Sequence, residues 1–303
     1  MSEVEPQRKH STPIFGILLL FVGLVLLLQN FDVLPWGLWG ILWRFWPVLF
    51  IIGGISILLR HWNPWLTTIL LLALLGACLG TAAWQYGVPP SAEGVMESYS
   101  EPLGNYEHAQ VETEFIMGGL NLSDLPPGSR NLVEVNSTAS NGSEGIKADL
   151  YSTGREGRLQ LSRNQDDWQS WIAPNNRWAV ELAREIPLAV GVKSTFSSTD
   201  INLRELQVAK LWADVDFGNC ILVMPSSAGT TSADISAAFA NLEITIPDGV
   251  AARLKVSAGL SLFHVDENRF TRQDDYYISR DFESAEDRVD MELECAFCRV
   301  KVR

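Results

Sequence analysis

The stretch LWADVDFGNCILVMP, residues 211–225, decides the fold, because it contains two runs of alternating apolar residues joined at a glycine. The apolar side chains of Cys220, Leu222 and Met224 stand two, four and six positions after Gly218. Alternation with a period of two is typical of a β-strand that buries one face. A glycine between two such runs favours a tight corner. We therefore predict a strand, a corner and a second strand within this one stretch.

The same form returns along the last two thirds of the chain. A small residue followed by apolar side chains, mostly at plus two, four and six, also occurs in IMGGLNLSD (116–124), AFANLEITIP (238–247), SAGLSLFHV (257–265) and CAFCRVKV (295–302). The small residues are Gly118, Gly218, Ala240, Gly259 and Ala296, and the last four lie 22, 19 and 37 positions apart. Repeats that cannot bury their apolar face alone stack on one another. We predict an all-β domain of stacked short strands over residues 110–303, either an irregular solenoid or a sandwich.

Charge divides the chain into an apolar, nearly neutral first third and an acidic remainder. Residues 1–90 contain four Lys or Arg and three Asp or Glu, whereas residues 91–303 contain 19 and 33. The acidic part lacks the Lys and Arg that neutralise phosphates, so we expect no nucleic acid as partner, and anionic lipid head groups repel it. Residues 91–109 are rich in Pro, Gly, Ser and Glu without periodicity, which indicates a linker between the two parts.

Three apolar segments in residues 1–90 predict membrane-spanning helices, so the lipid bilayer is the first expected partner. Residues 13–29 and 65–84 contain no charged side chain, and residues 36–59 contain only Arg44. At about 1.5 Å per residue, segments of this length can cross a hydrocarbon core of about 30 Å.

Positive charge near the span ends predicts the orientation. Arg8 and Lys9 precede the first span, Arg60 follows the second, and neither Lys nor Arg occurs between Trp84 and Arg130. Because Lys and Arg accumulate on the cytoplasmic side, the chain is expected to run in–out–in–out. We expect a multi-pass protein of the bacterial cytoplasmic membrane whose β-domain lies outside the cytoplasm. A cytoplasmic β-domain is the alternative.

Two sets of residues in the spans are candidates for contact with the membrane interface or with a partner: Trp36, Trp39, Trp43, Arg44, Trp46, Gly76 and Gly80. The tryptophans recur at spacings of three and four and so share one helix face. They form either a partner-recognition stripe or an aromatic belt at the membrane surface, and the belt is favoured. The two glycines are a small-xxx-small pair that packs helices within one chain or between copies, so a homo-oligomer is a candidate state.

Tryptophan is also concentrated in NQDDWQSWIAPNNRW, residues 164–178. Trp168, Trp171 and Trp178, with Trp212 further along, form either a partner patch on the β-domain or a lid over an open end of the strand stack. Enrichment of Trp at binding hot spots supports the patch. A set of apolar rings that hides the last rung explains the same stretch more simply, so the lid is favoured.

The chain offers little material for catalysis or metal binding. Cys295 and Cys298 form a C-x-x-C, but on a predicted strand corner rather than at a helix start, and Cys220 and His264 do not complete a zinc site. Cys220 and Cys298 both stand at a plus-two core position, which favours buried small side chains. A disulfide among the three cysteines, or a metal site, is the alternative. We expect no enzyme activity, no catalytic residues, no metal and no cofactor.

The membrane segment and the β-region together resemble one known family. Residues 14–60 have a glycine-spaced first helix, Asn30 at its outer end, a short loop and Trp46-Pro47 early in the second helix. They are similar to the paired-helix membrane module of LiaF-type bacterial envelope-stress proteins. Residues 186–225 and 276–302 resemble the toast-rack β-domain that follows this module in such proteins. The resemblance implies a toast-rack-like β-solenoid.

What the resemblance implies for function is a membrane-anchored accessory protein of the cell-envelope stress response. The best-known members restrain a membrane sensor histidine kinase, and the family has neither enzyme activity nor a cofactor. Members commonly have four spans and a cytoplasmic domain, whereas this sequence predicts three spans and an external domain. The competing hypothesis is a structural envelope protein that self-associates through its β-domain. An envelope enzyme or transporter has no supporting cluster of residues.

Overall fold

The computed structural model describes residues 19–25, 73–81, 95–139, 146–163 and 176–303. The chain divides into two compact units, Met1–Pro89 and Pro90–Arg303. In the first unit, residues 19–25 form helix α1 and residues 73–81 form helix α2, inside the first and third predicted spans. Neither of these described helices has the length and apolar composition needed to cross a membrane. The second predicted span, residues 36–59, lies outside the described residues.

Nineteen β-strands make up the regular structure in the described part of the second unit. In chain order they are β1 (Val95–Pro102), β2 (His108–Phe115), β3 (Gly118–Asp124), β4 (Asn131–Ala139), β5 (Ile146–Thr153), β6 (Glu156–Arg163), β7 (Arg177–Leu182), β8 (Leu188–Thr195), β9 (Ser197–Asn202), β10 (Val208–Asp216), β11 (Asn219–Val223), β12 (Thr230–Ala238), β13 (Asn241–Thr245), β14 (Ala251–Gly259), β15 (Leu262–Val265), β16 (Phe270–Gln273), β17 (Tyr276–Ser279), β18 (Arg288–Ala296) and β19 (Arg299–Val302).

These strands form two sheets that share one hydrophobic core. Sheet A has the order β1-β4-β7-β3-β9-β11-β13-β19-β15, and sheet B has the order β16-β17-β14-β18-β12-β10-β8-β2-β6-β5. Repeatedly a strand of sheet B leads through a corner into a strand of sheet A, and each such pair is one rung: β2–β3, β8–β9, β10–β11, β12–β13, β14–β15 and β18–β19. Neighbouring rungs pair in parallel. The prediction of an all-β domain of stacked rungs is therefore confirmed.

Inward-facing side chains of both sheets build the core. Along β12 the residues alternate between exposed and buried, so that Ala233 and Ile235 face the core while Asp234 and Ser236 face solvent. The predicted apolar positions after the corners are buried in five of the runs, at Leu120, Leu122, Cys220, Leu222, Leu242, Ile244, Val265, Val300 and Val302. Burial of apolar surface, at roughly 25 cal/mol per Å², holds neighbouring rungs together.

Residues 95–102, which the sequence placed in the linker, form an edge strand. β1 pairs antiparallel with β4 over almost its whole length. Tyr99 is half-buried and packs against the core, and its hydroxyl donates to Glu101 at 2.9 Å. An edge strand needs little apolar surface and keeps charged side chains on its free side. β1 therefore lacks the alternation by which the other strands were found.

The last rung of the sequence lies inside the stack and not at its end. β18 pairs with β12 on one side and with β14 on the other, in parallel and over nine residues each time. The chain therefore leaves one strand position free when it runs from β13 to β14, and β18 later fills this position between β12 and β14. The Arg269 guanidinium holds this connection, because it donates to the carbonyl oxygens of Ile246, Pro247 and Val250. The polar insertion before β18 forms the β16–β17 hairpin, which extends sheet B beyond β14.

Candidate functional site

Five corners between sheet B and sheet A share an unusual backbone conformation. Their central residues have φ between +50° and +58°: Phe196, Phe217, Phe239, Leu260 and Phe297. Successive members lie 21, 22, 21 and 37 positions apart. This left-handed region strains a residue that has a side chain by roughly 1–2 kcal/mol. Five such corners in one domain require an interaction that compensates for the strain.

At four of these corners stacked phenylalanine rings provide that interaction, and we call these four residues the phenylalanine ladder. The ring of Phe217 lies 5.0 Å from the ring of Phe196 and 5.0 Å from that of Phe239. The ring of Phe297 continues the stack 4.9 Å from Phe239, with the planes 3° apart. These distances equal the strand spacing of about 4.8 Å, so stacking the rungs also stacks the rings. The backbone N–H of each ladder residue donates to a carbonyl of the next rung at 2.9–3.1 Å.

The ladder ends in an exposed apolar surface at one end of the stack. Phe297 is 48% exposed, Leu260 in the next corner is 83% exposed, and Leu262 on β15 is 58% exposed. We call these three residues the ladder-end patch. β15 is the last strand of sheet A, and β19 is its one neighbour among the described residues, so within this part of the chain the other edge of β15 is free to pair with a further strand. Behind the patch, Phe263 packs against Tyr277 with ring centroids 5.6 Å apart, which closes the core at this end.

Sequence reasoning aligned the repeats on their small residues and so missed the ladder. Gly218 and Ala240 follow the corner residue, whereas Gly259 and Ala296 precede it. The signal that could have found the ladder is an apolar residue directly before the small residue of each corner, in the pairs Phe-Ser, Phe-Gly, Phe-Ala, Leu-Ser and Phe-Cys. Aligned on that apolar residue, the repeat is nearly regular until the insertion before β18. At Gly218 a side chain is excluded, because a Cβ there would lie 2.2 Å from the Ser197 carbonyl oxygen.

The new register corrects the position of Cys298. Cys298 follows the corner residue and is equivalent to Gly218, whereas Cys220 stands at plus two and aligns with Leu242 and, one rung further, with Val300. Both thiols are nevertheless buried. Burial, and then the Asp200 carboxylate, raise the pKa of Cys220 to about 12, so this thiol stays protonated at neutral pH.

The structure places Trp178 in the core and not on the surface. Its side chain is 3% exposed, and its ring lies 5.8 Å from the ring of Phe115. Trp178 is therefore unavailable to a partner patch. Trp212 lies flat over Gly191 on the outer face of sheet B, where a Cβ at Gly191 would meet the indole at 2.3 Å. Trp168 and Trp171 lie outside the described residues, so the patch and the lid stay predictions for them.

The candidate residues of the membrane segments are described only in part. Gly76 and Gly80 are exposed on α2, and a Cβ added at either would meet nothing within 4 Å. This open surface is compatible with helix packing, which stays a prediction. The remaining candidates lie outside the described residues: Trp36, Trp39, Trp43, Arg44 and Trp46.

Polar chemistry in the described part of the chain is sparse. No three His, Cys, Asp or Glu side chains are grouped there as metal ligands would be. Three buried polar atoms of the same residues have no hydrogen-bond partner, namely Thr113 Oγ1, Asn176 Oδ1 and Ser194 Oγ. Thr113 and Ser194 lie on the neighbouring strands β2 and β8. Unpaired buried hydroxyls of this kind lower stability. The ladder-end patch is thus the feature best suited to an interaction.

Two family models match the chain. The model described as the N-terminal domain of toast_rack, DUF2154, matches residues 91–252, which is more than half of the chain. The model described as the LiaI-LiaF-like transmembrane region matches residues 14–58. No curated protein matches the chain.

Two solved structures are similar to this chain. The crystal structure of a predicted cell adhesion protein from Clostridium sporogenes matches 69% of this chain and 99% of that chain, with 15% identity and a TM-score of 0.59. A predicted adhesin from Bacteroides fragilis matches 72% of this chain and 100% of that chain, with 8% identity and a TM-score of 0.27. The first likeness shows that the stacked two-sheet fold is shared, and it shows nothing about activity.

Proposed function

Since this chain belongs to the family defined by the N-terminal domain of toast_rack, and is a LiaF-type protein, we propose that it is a membrane-anchored, non-enzymatic accessory protein of bacterial cell-envelope stress signalling. Its proposed partner is a membrane sensor histidine kinase, whose activity it modulates. The observation that supports this proposal is the presence of both matched modules in one chain. They stand in the same order as in the LiaF-type proteins that the sequence resembles.

The LiaI-LiaF-like transmembrane region makes the chain a membrane protein. We propose spans at residues 13–29, 36–59 and 65–84, with the β-domain outside the cytoplasm. Fusions of alkaline phosphatase and green fluorescent protein after Ser91 and Arg303 test this orientation, since the phosphatase is active outside and the exported fluorescent protein stays dark. Bright fluorescent fusions without phosphatase activity would place the β-domain in the cytoplasm.

In this proposal the ladder-end patch is the contact surface of the β-domain. Leu260 and Leu262 expose apolar side chains beside an open strand edge, and burying them against a partner releases water from apolar surface. The outer faces of the sheets, in contrast, have charged pairs such as Arg253 with Asp290 and Lys255 with Glu292.

Within the membrane we propose two contact faces. One is formed by Trp36, Trp39, Trp43, Arg44 and Trp46, and the other by Gly76 and Gly80. The Trp168 and Trp171 segment is a further proposed contact.

A photo-crosslinking amino acid at Leu260 or Leu262 of the full chain tests the proposed contact in cells under envelope stress. Ser236 is the matched control position, because it is exposed on the outer face of β12, two strands away from β14 in sheet B. We expect adducts with a sensor kinase from the patch positions and none from Ser236. Deletion of the protein should also change the output of an envelope-stress reporter. Unchanged output together with the absence of kinase adducts would refute the proposal.

The second candidate function is a structural envelope protein that self-associates through its β-domain, and the open edge of β15 beside the ladder-end patch favours it. Leu262→Lys should then abolish concentration-dependent oligomers of the β-domain in analytical ultracentrifugation. Ile221→Lys is the control, because Ile221 is exposed on the outer face of β11 in the same sheet. A wild-type domain that stays monomeric at high concentration would eliminate this candidate.

A further inference from the structure

Cys295 and Cys298 stand on the two sides of the corner between β18 and β19. Cys295 is the last inward-facing residue of β18 and is 5% exposed, and Cys298 follows the corner and is 4% exposed. Ala237 pairs with Cys295 across β12 and β18, and the Cys298 Sγ lies against this same residue, so the two thiols are close together. The Cys298 Sγ also lies 3.3 Å from the Ala296 carbonyl oxygen and 3.5 Å from that of Ala237. The structure therefore holds two thiols side by side across one tight corner.

The strand register leaves Cys298 one partner among the cysteines of this unit. Cys220 aligns with Leu242 and, one rung further, with Val300, so it lies two strand spacings from β19. Two spacings amount to about 9.6 Å, and Cys298 lies a further two residues along the strand from Val300. A disulfide requires Cα atoms about 4.4–6.8 Å apart. Cys220 is therefore out of reach.

The surroundings prepare Cys298 to act as the attacking thiol. The hydrogen bond from the Cys295 thiol lowers the pKa of Cys298 to about 7, although desolvation opposes the change. Backbone hydrogen bonds at Ala240 and Ala296 act in the same direction as the thiol, and the Asp216 carboxylate acts against it. The same interaction raises the pKa of Cys295. A thiol whose pKa lies near the ambient pH attacks disulfides most efficiently.

We propose that Cys295 and Cys298 are a dithiol that oxidises to an intrachain disulfide. The Cys298 thiolate attacks one sulfur of a disulfide oxidant, either a small disulfide or a protein disulfide, and expels the other sulfur as a thiolate. The Cys295 thiol then loses its proton and attacks Cys298 Sγ, which releases the second thiolate of the oxidant. Cys295 and Cys298 have lost two electrons and two protons, and the oxidant has become two thiols.

The disulfide would join the end of β18 in sheet B to the residue just before β19 in sheet A. The β18–β19 rung lies between the rungs β12–β13 and β14–β15. Ala296 and Phe297 between the two thiols are exposed, so the buried thiols lie directly beneath the surface at this corner. Such disulfides persist outside the cytoplasm and are reduced within it. The proposal is independent of the sensor kinase, and its outcome in cells depends on the side of the membrane that the domain faces.

Peptide mapping of the full chain in membrane vesicles tests the proposal. Vesicles are equilibrated with mixtures of oxidised and reduced glutathione, the protein is denatured, and free thiols are alkylated. We expect the peptide with both cysteines to lose two hydrogen atoms and its two alkylation sites as the oxidised fraction rises, while Cys220 stays alkylated. The buried-cysteine control Cys220→Ala should behave as the wild type does.

Three results would overturn the proposal: full alkylation of both thiols at every glutathione ratio, glutathione bound stably to Cys298 without closure of the ring, or a bond that includes Cys220. The wild-type chain alone distinguishes these results, so the test does not depend on the folding of a variant. Cys295→Ala supplies a second measurement, because it should leave Cys298 open to alkylation or to a stable mixed disulfide with glutathione.

Discussion

Replacing Phe239 by alanine and by glycine separates the two opposing contributions of a ladder corner. Phe239 has φ of +53°, and its ring stacks on Phe217 at 5.0 Å and on Phe297 at 4.9 Å. Alanine removes both ring contacts and keeps the strained backbone. Glycine removes the same contacts and also relieves the strain, because it has no Cβ.

The magnitudes follow from the geometry. Each stacked pair contributes about 0.5–1.5 kcal/mol beyond its buried area, so the two contacts of Phe239 contribute about 1–3 kcal/mol. The lost area of a half-buried ring adds about 2 kcal/mol. We therefore expect Phe239→Ala to cost about 3–5 kcal/mol, within the usual range for a buried phenylalanine. Relief of roughly 1–2 kcal/mol of strain, less the backbone entropy of glycine of about 0.5–1 kcal/mol, should leave Phe239→Gly about 1 kcal/mol more stable than Phe239→Ala.

Urea unfolding of the Pro90–Arg303 unit, followed by circular dichroism, measures both variants. The control is Ser236, an exposed position of β12 whose backbone is ordinary strand. At Ser236 the order should reverse, with glycine about 0.5–1 kcal/mol less stable than alanine. A double-mutant cycle between Phe217 and Phe239 should give a coupling of about 0.5–1.5 kcal/mol.

The predicted order is wrong if glycine is less stable than alanine at Phe239 by the same margin as at Ser236. Strain at the corners would then be negligible, and the rings would have nothing to offset. A coupling near zero between Phe217 and Phe239 would instead show that the rings contribute only through their buried area.

Three further predictions concern the core, the rung order and the thiol pair. Thr113→Val removes a buried hydroxyl without a partner and should raise the free energy of unfolding by about 1 kcal/mol in the same urea assay, and a lower value would show that the hydroxyl is satisfied. Removal of residues 288–303 takes away the strand between β12 and β14 and should abolish cooperative unfolding, whereas removal of the edge strand 95–102 should preserve it. Because the pKa of Cys298 is about 7, its alkylation rate in the reduced protein should rise with pH to a midpoint near 7, and in Cys295→Ala the midpoint should move upward as the thiol hydrogen bond is lost. An unchanged midpoint in mass-spectrometric rate measurements would contradict that assignment.

Local patterns were sufficient to predict most of the strands and the buried side of each predicted rung. The alternation in residues 211–225 identified β10 and β11, that in residues 238–247 identified β13, and their apolar positions are buried. The small residue at the corner was also visible, although its position relative to the turn was not. Alternation reports which face of a strand is apolar, and it does not report φ.

The rung β8–β9 was harder to recognise as a repeat unit. It has polar residues at inward positions, including Ser197 and Thr199, whose hydroxyls hydrogen-bond to each other at 2.9 Å in the core. A search for alternating apolar side chains does not detect inward positions where two polar side chains hydrogen-bond to each other. The position of Trp178 was predicted wrongly for a related reason. The sequence around an aromatic residue beside a polar loop does not show whether its ring faces the core or the solvent.

Local sequence was enough to establish the class of the fold, most of the rungs and their inward-facing residues, because these depend on the order of residues within a single strand. Which rungs are neighbours depends instead on tertiary contacts. β18–β19 lies between rungs that precede it by many residues, and the ladder forms because rungs at the spacing of β-strands bring corner side chains into contact. Such pairings depend on contacts between distant parts of the chain, and at four of the five corners rings from neighbouring rungs stack and offset the strain.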